Sequence, residues 1–243
     1  MEISLAAEKI GEVLGLPISN SMLMTWIAGI MLLILSFAAT HKLAMVPRGI
    51  QNFFEYLIEY LFNTVDEVIG DREQSKKYFP LLATIFIFII TNNWLGLIPG
   101  VGTIGFHEGE KFIPLLRGGN ADLNMTIALA ITAVLAVQIF GIAAIGLAKN
   151  TKKYITFKNP IETFVGFLEL VSEVSRMISF AFRLFGNIFA GEVLLAVIAM
   201  IVPYLVPLPF FGLELFVGFI QALVFTMLTL VFIKTAITPH GAH

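Results

Sequence analysis

The chain has 243 residues, of which 58% are hydrophobic and 13% charged, with a formal net charge of -2 and no cysteine. Soluble domains hold about 45–50% apolar residues, and a chain of this length has too little interior to hide the surplus, 23 phenylalanines included, so the composition points to a membrane protein. Disulfides, zinc thiolates and iron–sulfur ligation are excluded, and a slightly acidic balance without a basic, aromatic-interleaved stripe argues against a nucleic-acid partner.

Residues 1–20 lack the basic start and short apolar core of a signal peptide and read as an amphipathic tail at the outer surface. Crossing about 30 Å of hydrocarbon takes about 20 apolar residues. Residues 21–40 supply the first such run. Residues 49–69 differ, because Phe53, Leu57, Ile58, Leu61 and Val65 recur at helical spacing against Glu55, Glu59 and Asp66. That pattern predicts an amphipathic helix lying at the interface. Further spans are expected at 79–98, closed by Pro99 and Gly100, and at 125–148, opened by Asp122 or Asn124. Two longer runs, 161–201 and 210–237, flank a turn holding Pro203, Pro207 and Pro209. Trp26 and Trp94 stand near span ends as interfacial anchors. The expected fold is a single all-α polytopic membrane domain, 1–243, with five transmembrane helices and one interfacial helix.

With the N-terminus outside, the inner segments hold ten Lys and Arg, against Lys9, Lys111 and Arg117 in the outer ones. The positive-inside bias then puts the C-terminus and both basic loops in the cytoplasm. The setting expected is a bacterial inner membrane in preference to a thylakoid.

The run 161–201 contains no proline and makes a helix of about 60 Å at 1.5 Å per residue, twice the hydrocarbon thickness. It must lie steeply tilted or nearly in the membrane plane, or break at Gly166, Gly186 or Gly191. Its polar side chains include Glu169, Glu173, Arg176, Ser179, Arg183 and Asn187. Glu169, Arg176 and Arg183 are each seven apart, which keeps them on one stripe. Glu173 and Arg176, at i,i+3, can simply pair with one another. Arg183 has no acid three or four residues away, and a guanidinium near a bilayer centre costs at least ~3 kcal/mol. It is therefore a functional residue by default. Ser179 and Asn187, four residues to either side, share its face.

Glu192 is nine residues past Arg183 and faces away from that stripe. On the last helix Glu214 and Gln221, seven apart, share a face. Antiparallel packing after the proline turn would bring Glu192 near Glu214 toward the outer side, and neighbouring carboxylates resist ionising together. The plainer reading of Glu214 is an interfacial carboxylate reaching water. Asn92 and Asn93 either line a channel or bond neighbouring helices. The acidic loop from Phe106 to Glu110 reads as a solvated loop, or else as an antenna for protons. His240 and His243 carry no metal assignment, no cofactor is expected, and no phosphate-binding glycine loop ends in Lys-Ser or Lys-Thr.

From Ser179 to Ile188 the chain reads small, any, small, apolar, Arg, Leu, any, small, Asn, apolar. In this pattern it resembles the a subunit of F-type ATP synthases, the stationary half of a membrane proton channel. The likeness extends through the run from Gly49 to Glu55, Asn93, the run from Asp122 to Asn124, and Gln221 with the Ala and Leu after it. The resemblance implies a long horizontal helical hairpin packed on a rotating ring of c subunits, with peripheral-stalk b subunits and other ATP synthase subunits as further partners within the lipid bilayer. It implies that Arg183 separates two aqueous half-channels, with Asn187 and Gln221 as polar neighbours. Glu192 and Glu214 match the inlet pair, Glu169 an acid on the outlet side, and Asn93 a family asparagine. Several family members hold a histidine in the inlet pair, where this chain has two carboxylates. A secondary transporter would instead show an internal repeat and paired broken helices, and a scaffold would need neither Arg183 nor the carboxylates.

Overall fold

The computed structural model describes residues 7–13, 15–41, 49–108, 111–147, 160–202 and 205–238. Six helices dominate: α1 (Asn20–Thr40), α2 (Ile50–Ile69), α3 (Arg72–Gly96), α4 (Leu123–Ile145), α5 (Pro160–Ile201) and α6 (Pro207–Ile237). All but α2 are long and apolar enough to cross a membrane. The chain is thus an all-α polytopic membrane protein. Lys42, Arg48, the basic residues of 149–158, Pro203, Glu110 and the C-terminal histidines lie outside the described residues.

Local chemistry sets the helix ends. Ser19 caps α1 by accepting from the Met22 N–H at 3.3 Å. Asp71 accepts from the N–H groups of Glu73 and Gln74, so α3 begins at Arg72, well before the apolar run that suggested a start near residue 79. Asp122 caps α4 through the Asn124 N–H at 3.0 Å, and Gly146, at φ 91, stops that helix short of residue 148. Pro207 opens α6, and Pro209 also lies in the first turn, where a missing N–H leaves no bond unmade. The N-terminal tail forms an antiparallel hairpin of β1 (Lys9–Val13) and β2 (Leu16–Ser19). Between α3 and α4 run a short strand β3 (Pro99–Gly102), the hairpin β4 (Gly105–Glu108) and β5 (Lys111–Pro114), and a 3-10 turn at Gly119–Ala121.

The helix α5 is continuous for 42 residues and passes through Gly166, Gly186 and Gly191 without a break. Its contacts with α6 run in opposite order along the two chains: Gly191 meets Glu214, Phe180 meets Phe225 and Phe232, and Arg176 meets Phe232. The two form the antiparallel hairpin expected across the proline turn. Small residues allow close packing in the absence of a strong hydrophobic drive between helices. Ala130 and Ala133 of α4, Ala181 of α5 and Ala222 of α6 are fully or almost fully buried against Phe86 and Ile89 of α3. A second cluster toward the other end joins Val65, Tyr78, Leu82, Leu230 and Ile233. Leu61 and Val65 turn α2 toward these clusters, while Phe53 and Ile58, two of the residues that suggested its apolar face, remain exposed.

Candidate functional site

The faces of α5 differ in what covers them. Ser179, Arg183, Gly186 and Asn187 lie on a face that no other part of the described chain covers, and all four are exposed. Arg183 Nη2 donates to Ser179 Oγ at 3.3 Å, and Asn187 Nδ2 donates to the Arg183 carbonyl at 2.8 Å. Among the described residues no carboxylate pairs with Arg183. A guanidinium keeps its charge in any protein setting, so this face presents a fixed cation held by its own helix.

On another side of α5, Glu192 and Glu214 meet at a cavity of about 10 Å³, room for roughly one water, lined also by Asn93, Gly96, Leu97, Gly118 and Ile188. Gly191 makes this possible, because a Cβ there would overlap the Glu214 carboxyl. Glu214 is 5% exposed, and its Oε1 has no hydrogen-bond partner among the described residues. Glu192, Gly96, Leu97 and Gly118 also line a vestibule of about 780 Å³ that reaches Asn20, β3 and Phe211. The Glu192 side chain therefore stands where the larger space meets the smaller.

Asn93 ties this region together. Its Nδ2 donates to the Gly218 carbonyl of α6 at 2.8 Å, and its Oδ1 accepts from Asn120 Nδ2 at 2.7 Å. Gly218 has no side chain to keep Asn93 away: a Cβ there would stand 3.1 Å from the Asn93 Cβ. Asn93 both bonds helices and borders the cavity, whereas Asn92 donates to the Phe88 carbonyl of its own helix, and its buried Oδ1 has no hydrogen-bond partner among the described residues. Gln221, half-buried, lies two turns along α6 from Glu214.

Three residues that sequence reasoning passed over complete the site. Arg117, read only as an outer-loop charge, lies with its Nε 3.6 Å from Glu192 Oε2 and its guanidinium 5.7 Å from the centre of the Phe189 ring. Asn120 is fully buried against Asn93. Gly118 lets the chain approach, since a Cβ there would stand 2.6 Å from Glu192 Oε1. The available signal is the Arg117-Gly-Gly-Asn120 run just ahead of the capping Asp122, a cation and an amide joined by two residues with no bulk. Glu169 is not on the open face with Arg183; its Oε1 lies 3.7 Å from Arg176, which also meets Glu173 at 3.2 Å. Of the acidic loop, His107 packs edge-on against Phe112 at 5.3 Å.

Residues 22–234 match the family described as ATP synthase A chain. ATP synthase subunit a of Moorella thermoacetica is 35% identical over 225 residues, 93% of this chain and 94% of that one. The subunit a of Gloeobacter violaceus is 38% identical over 224 residues, covering 92% and 86%, and that of Geobacter sulfurreducens is 37% identical over 214 residues, covering 86% and 84%. An open arginine face on one unbroken helix, five apolar spans and a match along nearly the whole chain lead to one conclusion: the chain belongs to the ATP synthase A chain family.

Proposed function

We propose that this chain is the fixed proton-conducting subunit of an ATP synthase membrane sector, and that it offers two offset half-channels to a rotating ring of c subunits. It performs no nucleotide chemistry itself. The observation that carries the reading is the arrangement around α5: an arginine with no carboxylate partner among the described residues on the uncovered face, and a carboxylate pair beside a water-sized cavity on a covered one.

A proton arriving from the outside passes the vestibule to Glu192, then Glu214, with Asn93 and Gln221 as polar neighbours. It is delivered to a carboxylate on the passing ring subunit, which becomes neutral and can face lipid, where an ionised carboxylate could not. On the inner side Arg183 favours the ionised form, and the released proton leaves past Glu169. The guanidinium repels a proton or hydronium that would cross directly, and its bond to Ser179 Oγ restricts where it can swing. Rotation is then the only route between the half-channels. Lysine is a poor substitute because it loses its proton when desolvated. Small residues on or beside the open face (Ser175, Ser179, Gly186, Ala190) suit close sliding contact. The orientation has the N-terminus outside and the C-terminus in the cytoplasm of a bacterial inner membrane, with b subunits of the peripheral stalk as neighbours.

Arg183→Ala tests the reading. The variant is expected to assemble, since the side chain is exposed and packs in no core, yet to abolish ATP synthesis in energised vesicles at matched subunit content. Membranes stripped of the catalytic head are expected to leak protons at least as fast as wild type. Substantial synthesis by this variant overturns the proposal.

A further inference from the structure

The segment from Arg117 to Asp122 is set into one end of the bundle and meets α1, α3 and α5 with consecutive residues. Gly118 packs on α3, where a Cβ on Gly96 would stand 3.0 Å from the Gly118 Cα. Gly119 fits between α1 and α3, since a Cβ there would stand 2.6 Å from both Thr25 Oγ1 and Asn92 Oδ1. Asn120 donates to the Ile89 carbonyl at 3.3 Å and to Asn93 Oδ1 at 2.7 Å, and Asp122 accepts from the Ser21 hydroxyl. Bare glycines and buried polar side chains thus fix this backbone against α1 and α3. Arg117 works from a frame that is already held.

From that frame the Arg117 side chain reaches α5. Its Nε lies 3.6 Å from Glu192 Oε2, and its Cζ lies 5.7 Å from the centre of the Phe189 ring. Phe189 and Glu192 are three residues apart and share a face of the helix, so one guanidinium covers both. The Phe189 ring is braced in turn by Phe185, stacked on it at 5.4 Å. The other carboxyl oxygen, Glu192 Oε1, lies against Gly118. Arg117 has further interactions of its own, and a guanidinium carries donors enough for several. Glu192 needs holding, because its carboxyl stands where the vestibule of about 780 Å³ meets the cavity of about 10 Å³ that it shares with Glu214. A glutamate side chain is long and turns easily, and a carboxylate gains hydration by swinging into open water. That swing would take it off the one-water space, and transfer through a single water needs both carboxyl groups within hydrogen-bond reach of it.

We propose that Arg117 is a positioning residue for the inlet: with Gly118 leaving room for the carboxyl, it holds Glu192 at the join between vestibule and cavity, where a proton passes to Glu214 through one water. This rests on the reading of Glu192 as an inlet acid. Uptake forms one O–H bond on the Glu192 carboxyl, departure toward Glu214 breaks that bond, and no electron is transferred. Arg117 takes no part in the transfer itself, because a guanidinium keeps its protons. Phe189 keeps the clamp in place while the proton moves.

ATP-driven proton pumping tests the clamp in inverted membrane vesicles carrying the whole ATP synthase, at matched subunit content. Arg117→Gln is expected to pump at least about fivefold more slowly than wild type. Arg117→Lys is expected to recover part of that loss, since an ammonium reaches the carboxylate without the fork. The loss is expected to need the carboxylate: Arg117→Gln/Glu192→Gln pumps no more slowly than Glu192→Gln alone, whereas a residue that merely anchored the loop would cost the same factor in both backgrounds. Gly118→Ala displaces the carboxyl without changing any charge, because its Cβ would stand 2.6 Å from Glu192 Oε1. The Gly118 backbone, at φ -48 and ψ 122, suits alanine, so this variant is expected to assemble and to pump several-fold more slowly. A wild-type rate in Arg117→Gln or in Gly118→Ala, an Arg117→Lys rate no better than that of Arg117→Gln, or a further loss in the double variant overturns the proposal. Should Arg117→Gln fail to assemble, Gly118→Ala still decides it. Glu192→Leu is measured alongside: wild-type pumping by that variant refutes the inlet reading, whereas its loss together with wild-type rates in Arg117→Gln and Gly118→Ala refutes the clamp alone.

Discussion

At Gly191 an added Cβ would overlap the carboxyl of Glu214, so alanine there must push that carboxyl off the shared cavity. Gly191→Ala is expected to assemble normally, because alanine favours a helix more than glycine does. It is expected to slow ATP-driven proton pumping by roughly tenfold or more, since a reacting group displaced by about an ångström loses much of its competence. Pumping at the wild-type rate would place Glu214 outside the path. Glu192 permits a complementary test, because it stands between vestibule and cavity, where the proposed inlet needs a group that binds and releases protons. Glu192→Gln is expected to pump poorly, and Glu192→His to retain more activity than Glu192→Leu. Equal rates in all three, measured by quenching of a pH-sensitive dye, would remove Glu192 from the route. What the sequence hid here was the third dimension: Arg117 is 75 positions from Glu192, and no local pattern announces their pairing.

Among the elements, the capping residues at the outer end hold more than their own helices. Asp122 starts α4 through the Asn124 N–H and also accepts from the buried hydroxyl of Ser21 on α1 at 2.5 Å. Removing it costs a cap, about 1 kcal/mol, and a buried bond to a charged group, about 1.5–3 kcal/mol more, while the Ser21 hydroxyl keeps the Ser19 hydroxyl as a partner at 2.9 Å. Asp122→Ala is therefore expected to lower the thermal stability of the purified complex, while Asp122→Asn keeps much of it; equal melting temperatures for the two would refute a capping role. Periodicity and length made all six helices legible, and Asp122 was legible as a cap from its place before an apolar run. The true start of α3 was not, because Arg72–Lys77 is polar and only the bonds made by Asp71 reveal it as helical. Nor could spacing decide between a tilted and a broken α5. Glycine permits a break without requiring one, and the packing of Gly191 against Glu214 favours the unbroken helix.

For the molecule as a whole, the two ends are chemically unlike. One gathers both hairpins, the vestibule and the Asn20 amide, whose Nδ2 donates to the Pro114 carbonyl at 3.3 Å. The other gathers Asp71, the Lys76–Glu73 pair and Lys234 on the Val68 carbonyl. The lysines and arginines favour the second end as cytoplasmic, and a natural absence makes that testable: the chain has no cysteine, so any single introduced thiol reports alone for this subunit. Glu12 on β1 and Glu73 at the start of α3 are both exposed and sit at opposite ends. In intact cells a membrane-impermeant maleimide is expected to label Glu12→Cys and to leave Glu73→Cys unlabelled. In inverted vesicles the pattern is expected to reverse. Labelling of Glu73→Cys from outside would turn the protein over, and with it the proposed assignment of the vestibule to the inlet and of Glu169 to the outlet; the proposed barrier at Arg183, between them along α5, is compatible with either orientation.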